Sequence, residues 1–553
     1  MADILEFKGE NPFKVNAYRK AARVIEDLTD DIEILAKQGK LMEIDGVGEG
    51  IAKKIDEYIK TGTMTKYEEI KADVPDSLIE LLGIQGLGPK TLALVFKELG
   101  VKNLLDLQRV IENGFLARLP QMGEKKIENI KRGIKLFQAS RERILLGFAL
   151  PLVEELITEL QKLPEVSKIS PAGSLRRLKE TIGDIDILVT GKNGRKIIDY
   201  FVHLPQVKDI LAAGETKGSI ITEDGIQVDV RVVEEESFGA ALQYFTGSKA
   251  HNIKLREMAK KKGLKINEYG VFKGEKKIGG KNEEDVYLSL DLPWIPPELR
   301  EDLGEIEQAN NLPQLVQLDD IQGDLHIHTN YSDGSSSIED IARHAKNMGY
   351  KYIAICDHSQ SVKYAGGLTA DELLHQIEEI RRLNEKIGGI KILAGNEVDI
   401  KPDGTLDYPD KILEQLDIVV AAIHMGFKHN VTERICRAME HPLVDIISHP
   451  TGRLIGTREG YEIDLEKILQ KASQTQTVLE INSYYERLDL NDINCRRAKE
   501  FDCKFVIDTD AHHLQQLWMM KLGVGVARRA GLTKDIIINT QPLSRFLLDI
   551  VAK

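Results

Sequence analysis

Apolar residues recur at helical spacing through the first 140 residues, in stretches such as NAYRKAARVIEDL (16–28) and IAKKIDEYIKTG (51–62), which are separated by short glycine-containing turns. This pattern predicts an all-helical N-terminal unit. From about residue 166 the period changes. GDIDILV (183–189) and QVDVRVV (227–233) are Val- and Ile-rich runs of strand length, interleaved with helical stretches, so an α/β unit is expected. Residues 241–300 read as a smaller mixed segment ending in proline-rich LPWIPPELRE, and the polar EIEQANNLPQ that follows reads as a linker. Beyond residue 319 the runs YIAIC, IKILAG, DIVVAAI, VDIISH, TVLEIN and KFVID alternate with helical stretches, the pattern of a (β/α) barrel. A chain of 553 residues exceeds one ordinary core, in keeping with several compact units.

Composition narrows the class. No apolar run approaches the ~18 residues that span a bilayer, and the start MADILEFKGENPF has neither a basic cluster nor an apolar core, so a cytoplasmic protein is expected. The four cysteines (Cys356, Cys436, Cys495, Cys503) form no CxxC pair, which argues for buried free thiols over a zinc site or disulfides. A net charge of −13 disfavours nucleic-acid binding if taken alone. Its distribution removes the objection: residues 1–140 carry 22 Lys and Arg against 23 Asp and Glu, so the acidic excess lies beyond them. With no coiled-coil pattern visible, a monomer is expected.

Three N-terminal stretches share one design, a tight turn followed by an amphipathic helix: IDGVGEGIAKKI (44–55), IQGLGPKTLALV (84–95) and LPQMGEKKIENI (119–130). They resemble the helix-hairpin-helix motif. Gly46, Gly48, Gly86 and Gly88 would admit positive φ and close backbone approach, freeing amides at a helix start to hold DNA phosphates without reading sequence.

Asp184 and Asp186 lie two apart in GDIDILV, a spacing that puts both carboxylates on one face of a strand. Asp229 in QVDVRVV would supply a third, completing an oxygen-rich site for two Mg²⁺ ions and in-line phosphoryl transfer. Read from Gly173 onward, GSLRRLKETIGDIDILV resembles the nucleotidyltransferase signature of family X DNA polymerases. YFTGSKAHNIKLREMAKKKGLKINEYGVF (244–272) resembles the nucleotide-binding subdomain of polymerase beta, and NAYRKAARVI its N-terminal domain. The resemblance implies that Asp184, Asp186 and Asp229 are catalytic metal ligands, and that Gly173, Ser174, Arg177 and Gly183 contact the triphosphate. It further implies that Tyr244, Phe245 and Gly247 line the sugar, that Asn252 meets the base edge, that Arg256 meets the template, and that Arg231 positions Asp186. The eukaryotic relatives' lyase lysine is matched by Lys54. Lys14 survives of its supporting set, but Met42 and Gly50 stand where those relatives carry lysines, so lyase activity is doubtful.

Eleven of the thirteen histidines fall between 326 and 513, several at predicted strand ends. DLHIHTNYSDG, CDHS, GNEVD, AAIHMGF, ISHPTGR and DTDAHH together resemble the PHP (polymerase and histidinol phosphatase) domain. The resemblance implies up to three ions, Mn²⁺ or Zn²⁺, held by His326, His328, Asp333, His358, Glu397, His424, His449, Asp510 and His512, with Glu397 bridging.

The expected architecture is therefore multidomain. An all-α helix-hairpin-helix domain (1–80) and a second helical DNA-binding subdomain (81–140) precede an α/β nucleotidyltransferase palm (141–235) and a small α+β nucleotide-binding subdomain (236–300). A linker (301–318) leads to a distorted (β/α)7 PHP barrel (319–553). The expected function is gap-filling DNA polymerisation in base excision repair on gapped or nicked duplex, with deoxynucleoside triphosphates as substrates. The barrel would act as a Mn²⁺-dependent 3′–5′ exonuclease, with apurinic-site endonuclease or 3′-phosphatase activity as further expectations. Two alternatives stand beside this: a small-molecule phosphatase or structural role for the barrel, and a non-catalytic repair scaffold.

Overall fold

A computed structural model describes residues 1–26, 32–44, 46–61, 63–71, 74–84, 86–120 and 122–551. No strand precedes Ile144 among the described residues. The helix starts follow local chemistry. The Asn103 side chain accepts from the Asp106 N–H to cap Leu104–Glu112, while Pro89 opens Pro89–Leu99 and Gly100 closes it. Ile4 and Leu5 of the first helix share one apolar core with Leu87, Leu92 and Val95, so the two expected helical units are joined across residue 80. A smaller core gathers Ala21, Leu41, Val47 and Ile55.

The central five-stranded sheet has the order Val166–Pro171, Ile185–Gly191, Gln227–Val233, Lys217–Thr222, Val207–Ala213. Strand Ile185–Gly191 is covered on both faces. Ile185, Ile187 and Val189 pack with Ile198 and Phe201, while Leu188 packs with Ala172, Phe238 and Ala241. The two-residue period thus places Asp186 on the Leu188 face, toward helix Phe238–Thr246.

Beyond the sheet, helices Phe238–Thr246 and Lys249–Lys261 accompany a three-stranded antiparallel sheet over 264–279. Their core (Leu255, Val271, Tyr287, Ile295) also takes in Ile306, Ala309 and Leu315. The segment 301–318, expected as a linker, is therefore packed. Its average polarity hides Ile306, Ala309, Leu312 and Leu315, which pack in this core, and Val316, which packs in the neighbouring one.

This core encloses a buried ion cluster. Glu283 accepts from Arg176 Nη1 at 2.7 Å, from Arg300 Nη1 at 2.6 Å and from Trp294 Nε1 at 2.8 Å. Burial opposes the charge, but the two guanidiniums outweigh it and pull the Glu283 carboxyl down to about 2. A depressed carboxylate contributes stability above its unfolded range near pH 4.5, and that contribution is lost as pH falls toward about 2. Glu283→Gln strands Arg300, which is fully buried. It is expected to cost about 3–5 kcal/mol at neutral pH and to flatten the acid limb of stability, both readable in urea unfolding followed from pH 7 to 3.

The C-terminal unit is a seven-stranded, all-parallel sheet in chain order, from Gly323–Ile327 to Phe505–Asp508, nearly closed by the Ile327–Ala511 bridge. Alternate residues (Leu325, Leu393, Val420, Val478, Val506) fill the interior, and Phe546 of the last helix plugs it, its ring stacked on Tyr352 at 5.2 Å. The other residues (Ile353, Ile392, Val419, Leu479) face the surrounding helices. The four cysteines are free and buried, as their spacing suggested. No helix among the described residues is long and apolar enough to cross a membrane.

The palm and the barrel abut. Arg453 pairs with Glu180 at 2.7 Å, Lys521 with Glu154 at 2.8 Å and Arg528 with Glu298 at 2.7 Å. Gly147 is required by this contact, since a Cβ there would stand 2.3 Å from Tyr485 Cβ.

Candidate functional site

The carboxylates of the palm come from adjacent parallel strands. Asp186 and Asp229 are direct register partners, and Asp184 sits in the bend before strand Ile185–Gly191, exposed. The expectation that both residues of the DxD pair lie on the strand is corrected for Asp184, because strand pairing starts only at Ile185. Burial, together with the Asp184 charge, raises the Asp186 carboxyl to about 6. Asp229 goes the other way. Burial opposes its charge, but Lys217 Nζ at 2.8 Å and Gln227 Nε2 at 3.2 Å hold it below the usual range. Arg231 lies 4.0 Å from Asp229 and over the Phe245 ring at 4.7 Å. Asp184 and Asp229 thus both repel the Asp186 carboxylate, which places the three in one neighbourhood, but among the described residues their ligand atoms do not form a group compact enough for one ion, with Asp229 engaged by Lys217.

Around them the expected nucleotide residues gather. Gly173 begins the short helix Gly173–Arg176, which includes Ser174, and a Cβ on Gly173 would lie 3.2 Å from Asp186 Oδ2. Arg177 follows that helix and donates from Nη1 to the Thr246 carbonyl at 2.5 Å. Gly247 lies against the same guanidinium, and Gly183 lies against Arg143. Tyr244 and Phe245 meet edge to face at 5.1 Å. Asn252 is turned inward: its amide donates to the Tyr244 carbonyl at 2.7 Å and accepts from Gln243 at 2.7 Å, so in this state it braces the aromatic pair. Arg256 Nε donates to the Asn252 carbonyl at 3.2 Å.

In the N-terminal turns, Gly46 and Gly86 have φ of +74° and +89°, a conformation that demands glycine. Gly48 and Gly88 are not left-handed. They supply the carbonyls that start helices Glu49–Thr61 and Pro89–Leu99. Gly123 caps the third helix in the same way. With glycine at the cap, the second and third helix starts carry no side-chain cap, which leaves the amides of Lys90 and Thr91 behind Pro89, and of Glu124 and Lys125, for another acceptor. The residue between the glycine positions is buried each time (Val47, Leu87, Met122). The preceding or equivalent turn residues Asp45, Gln85 and Gln121 lie outside the described residues. Lys54 lines a cavity of about 630 Å³ with Tyr18 and Tyr58, and its Nζ donates to the Gly50 carbonyl at 2.6 Å. Lys14 pairs instead with Glu10, and Met42 is exposed.

The barrel brings all nine expected residues together at the C-terminal ends of its strands. Glu397 is at the centre. Its Oε1 lies 3.0 Å from His449 Nε2, 3.4 Å from His424 Nε2 and 3.6 Å from His326 Nε2, and its Oε2 lies 2.8 Å from His358 Nδ1 and 3.7 Å from His328 Nε2. Asp333 faces His358 Nε2 at 3.2 Å and His512 Nε2 at 3.4 Å, while Asp510 Oδ1 faces His328 Nε2 at 3.1 Å. Three groups of ligand atoms are each compact enough for one ion: His328, Asp333, His358 and His512; His326, His328 and Asp510; His358, Glu397 and His424.

Protein partners alone leave this cluster incomplete. Nδ1 of His328, His358, His424 and His449 and Oε2 of Glu397 are buried without a satisfactory hydrogen bond, and His326 and His328 turn Nε2 toward each other at 3.1 Å. Burial, with His512 and His358 beside it, pushes His328 down to about 3. Burial lowers His449 too, while the facing carboxylates outweigh burial and raise His326, His358, His424 and His512; imidazoles and carboxylates interleaved in this way fit divalent cations, which would take the place of those protons. An outer layer absent from the sequence reading orients them. His326 Nδ1 meets Glu480 Oε1 at 2.7 Å, fixing Nε2 as the free ligand atom, and Glu480 also accepts from Ser448 at 2.9 Å and from the His449 amide at 2.6 Å. Asp399 backs His424 at 3.3 Å. His513, beside His512 in the chain, is not one of the nine and caps the turn Leu514–Met519.

Comparison with known proteins matches these units. Family models described as a helix-hairpin-helix domain, the DNA polymerase beta thumb and the PHP domain match residues 1–64, 241–301 and 324–484. The chain is 41% identical over 551 residues to the DNA polymerase/3′-5′ exonuclease PolX of Bacillus subtilis (strain 168), covering 98% of this chain and 96% of that protein. Over 231 residues it is 33% identical to a probable phosphatase of Thermoanaerobacter sp. (strain X514), covering 39% of this chain and 89% of that protein. A probable phosphatase of Caldanaerobacter subterraneus subsp. tengcongensis is 28% identical over 232 residues.

Proposed function

The chain belongs to the family X DNA polymerases that carry a C-terminal PHP domain, and we propose that it fills short gaps in DNA repair, with one site adding nucleotides and the other trimming 3′ ends. It is a DNA polymerase and 3′–5′ exonuclease that acts on DNA and deoxynucleoside triphosphates with divalent metal ions. The observation that carries the two-site reading is the presence, in one chain, of the register-paired Asp186 and Asp229 with Asp184 and of the imidazole cluster around Glu397.

By this reading residues 1–80 and 81–140 grip gapped or nicked duplex through the amides following Gly46, Gly48 and Gly86 and, past Gly88, through those of Lys90 and Thr91, since Pro89 has no N–H. Residues 141–235 form the palm, 236–300 hold the nucleotide, 301–318 strap the halves together and 319–553 form the nuclease. Asp184, Asp186 and Asp229 would hold two Mg²⁺ ions, which supply charge balance for the triphosphate and activation of the primer 3′-hydroxyl. Ser174 and Arg177 orient the triphosphate. Arginine suits this because its planar fork matches phosphate oxygens and keeps its charge. Tyr244, Phe245 and Gly247 shape the sugar pocket, with Asn252 bracing the aromatic pair and Arg256 on the template side. At the barrel the nine residues would hold up to three Mn²⁺ or Zn²⁺ ions, which supply a hydroxide near neutral pH. Glu480 would keep the His326 imidazole in the required tautomer, and Asp399 holds the His424 backbone amide in place. A monomer in the cytoplasm, associated with the nucleoid, completes the reading.

The test is a 5′-labelled duplex with a one-nucleotide gap in Mn²⁺ buffer, with and without nucleotides. Asp184→Ala/Asp186→Ala is expected to lose extension and keep trimming, and His326→Ala/His328→Ala the reverse. Trimming that survives the histidine changes defeats the nuclease assignment. The likeness to probable phosphatases favours a second reading of the barrel, as a phosphatase for small molecules or 3′-phosphates. It predicts faster hydrolysis of phosphorylated small molecules than of DNA ends by the same preparation. Apurinic-site cleavage at the barrel is scored in the same assay. The open cavity beside Lys54 is tested for lyase action by borohydride trapping.

A further inference from the structure

Arg177 is not held by the palm alone. Its Nε donates to Glu301 Oε1 at 3.0 Å and its Nη1 to the Thr246 carbonyl, so Nη2 is the arm with no protein hydrogen bond among the described residues. The same Glu301 oxygen accepts from Arg529 Nη1 at 3.0 Å. Arg529 ends the barrel-side helix Met520–Arg529. It donates from Nη1 to the Arg177 carbonyl at 2.9 Å and from Nε to Asp492 Oδ2 at 2.9 Å. Its side chain is only 5% exposed, against 13% for Arg177 and 16% for Glu301. One turn earlier the helix rests on the residue after Arg177: a Cβ on Gly525 would lie 3.0 Å from Leu178, which itself holds φ +51°.

We propose that Glu301 and Arg529 are positioning residues of the nucleotide site, so that the barrel domain supplies part of the polymerase's grip on the incoming nucleotide. The inference rests on reading Arg177 as a triphosphate ligand. One carboxylate oxygen is shared by two guanidiniums, one on each side of the domain boundary. Glu301 fixes the plane of the Arg177 fork. Arg529 cancels the carboxylate's remaining charge, which would otherwise stand beside the triphosphate in a poorly screened setting. When Arg177 turns to the phosphates, Glu301 keeps a partner and no buried charge is stranded.

Single-nucleotide gap filling by the full-length protein tests this. Arg529→Gln is expected to raise KM for the nucleotide about tenfold, within the ~5–150-fold span of coupling between sites, with kcat changed less than about threefold and trimming of single-stranded DNA unchanged. Arg529→Lys recovers part of the loss, since an ammonium restores charge but cannot serve both carboxylates in one plane. The discriminating variant is Glu301→Gln/Arg529→Gln. Removing the stranded carboxylate brings KM back toward that of Glu301→Gln, whereas a merely structural role leaves the double variant at least as impaired as Arg529→Gln. A KM within about twofold of wild type in Arg529→Gln, or no recovery in the double variant, overturns the inference. Arg177→Lys separates the premises. If it leaves KM unchanged, the assignment of Arg177 is wrong; if it raises KM while Arg529→Gln does not, only the role of the barrel is.

Discussion

Asp186→Asn is expected to abolish nucleotide addition and at the same time to stabilise the metal-free protein. The Asp186 carboxyl is raised from 3.8 to about 6 by burial and by Asp184, with Asp229 adding to the repulsion. A carboxylate whose folded value lies above its unfolded one opposes folding, fully above about pH 6, and the penalty disappears as pH falls toward 3.8. The shift corresponds to about 3 kcal/mol; allowing for the partial exposure of the group, about 1–2 kcal/mol is the expected gain. In EDTA at pH 7.5 the variant should therefore melt above wild type. With Mg²⁺ the order should reverse, because wild type gains a ligand and the variant does not. Incorporation should fall by at least ~10³-fold, the scale on which a preorganised charge-stabilising group is lost. A lower melting temperature in EDTA would mean that Asp186 is a net stabiliser through Arg231, and the picture of a site strained in readiness for cations would fail.

The same site shows how far sequence reasoning reached. The alternation of Ile185, Ile187 and Val189 marked a strand, but it was the resemblance of GSLRRLKETIGDIDILV to the family X signature that singled out Asp186 with Asp229, and the two are register partners. The strand boundary was beyond reach, because it depends on where the partner strand stops pairing, and Asp184 fell outside it. Lys217, the nearest cation to Asp229, carries no local signal. Its strand, KGSIIT, is ordinary, and only the antiparallel return brings it within 2.8 Å. Glu480 did carry a signal, an acidic residue at an inward position of the apolar run TVLEIN, which is costly unless partnered. The segment 301–318 misled because average polarity was weighed above the apolar residues that anchor it, Ile306, Ala309, Leu312, Leu315 and Val316. The nine barrel residues could be named because their motifs resemble the PHP domain, and the structure gathers them because strand ends converge in such a barrel.

Glu397→Gln is expected to empty the barrel of most of its metal and to remove 3′ trimming by at least ~10³-fold, with gap filling on matched DNA changed less than about twofold. Each carboxylate oxygen of Glu397 faces imidazoles on a different side, Oε1 toward His449, His424 and His326 and Oε2 toward His358 and His328. Glutamine keeps the volume, so packing survives, but it replaces one acceptor with an NH₂ aimed at ring nitrogens and takes away the charge that balances two ions at once. Glu480→Gln provides the scale. It alters the group behind His326 and the acceptor for Ser448 and the His449 amide but none of the nine residues, so a loss of ~10–100-fold in metal affinity is expected there, well short of the Glu397 effect. Elemental analysis of both purified variants, alongside exonuclease rates on single-stranded DNA, checks the order. Full metal content in Glu397→Gln would make the residue an ion-pair partner of protonated histidines instead of a bridge. The ions still bound would then need another anion to balance them, and Asp333 and Asp510, each already facing two or more of the imidazoles, are the two in place to supply it.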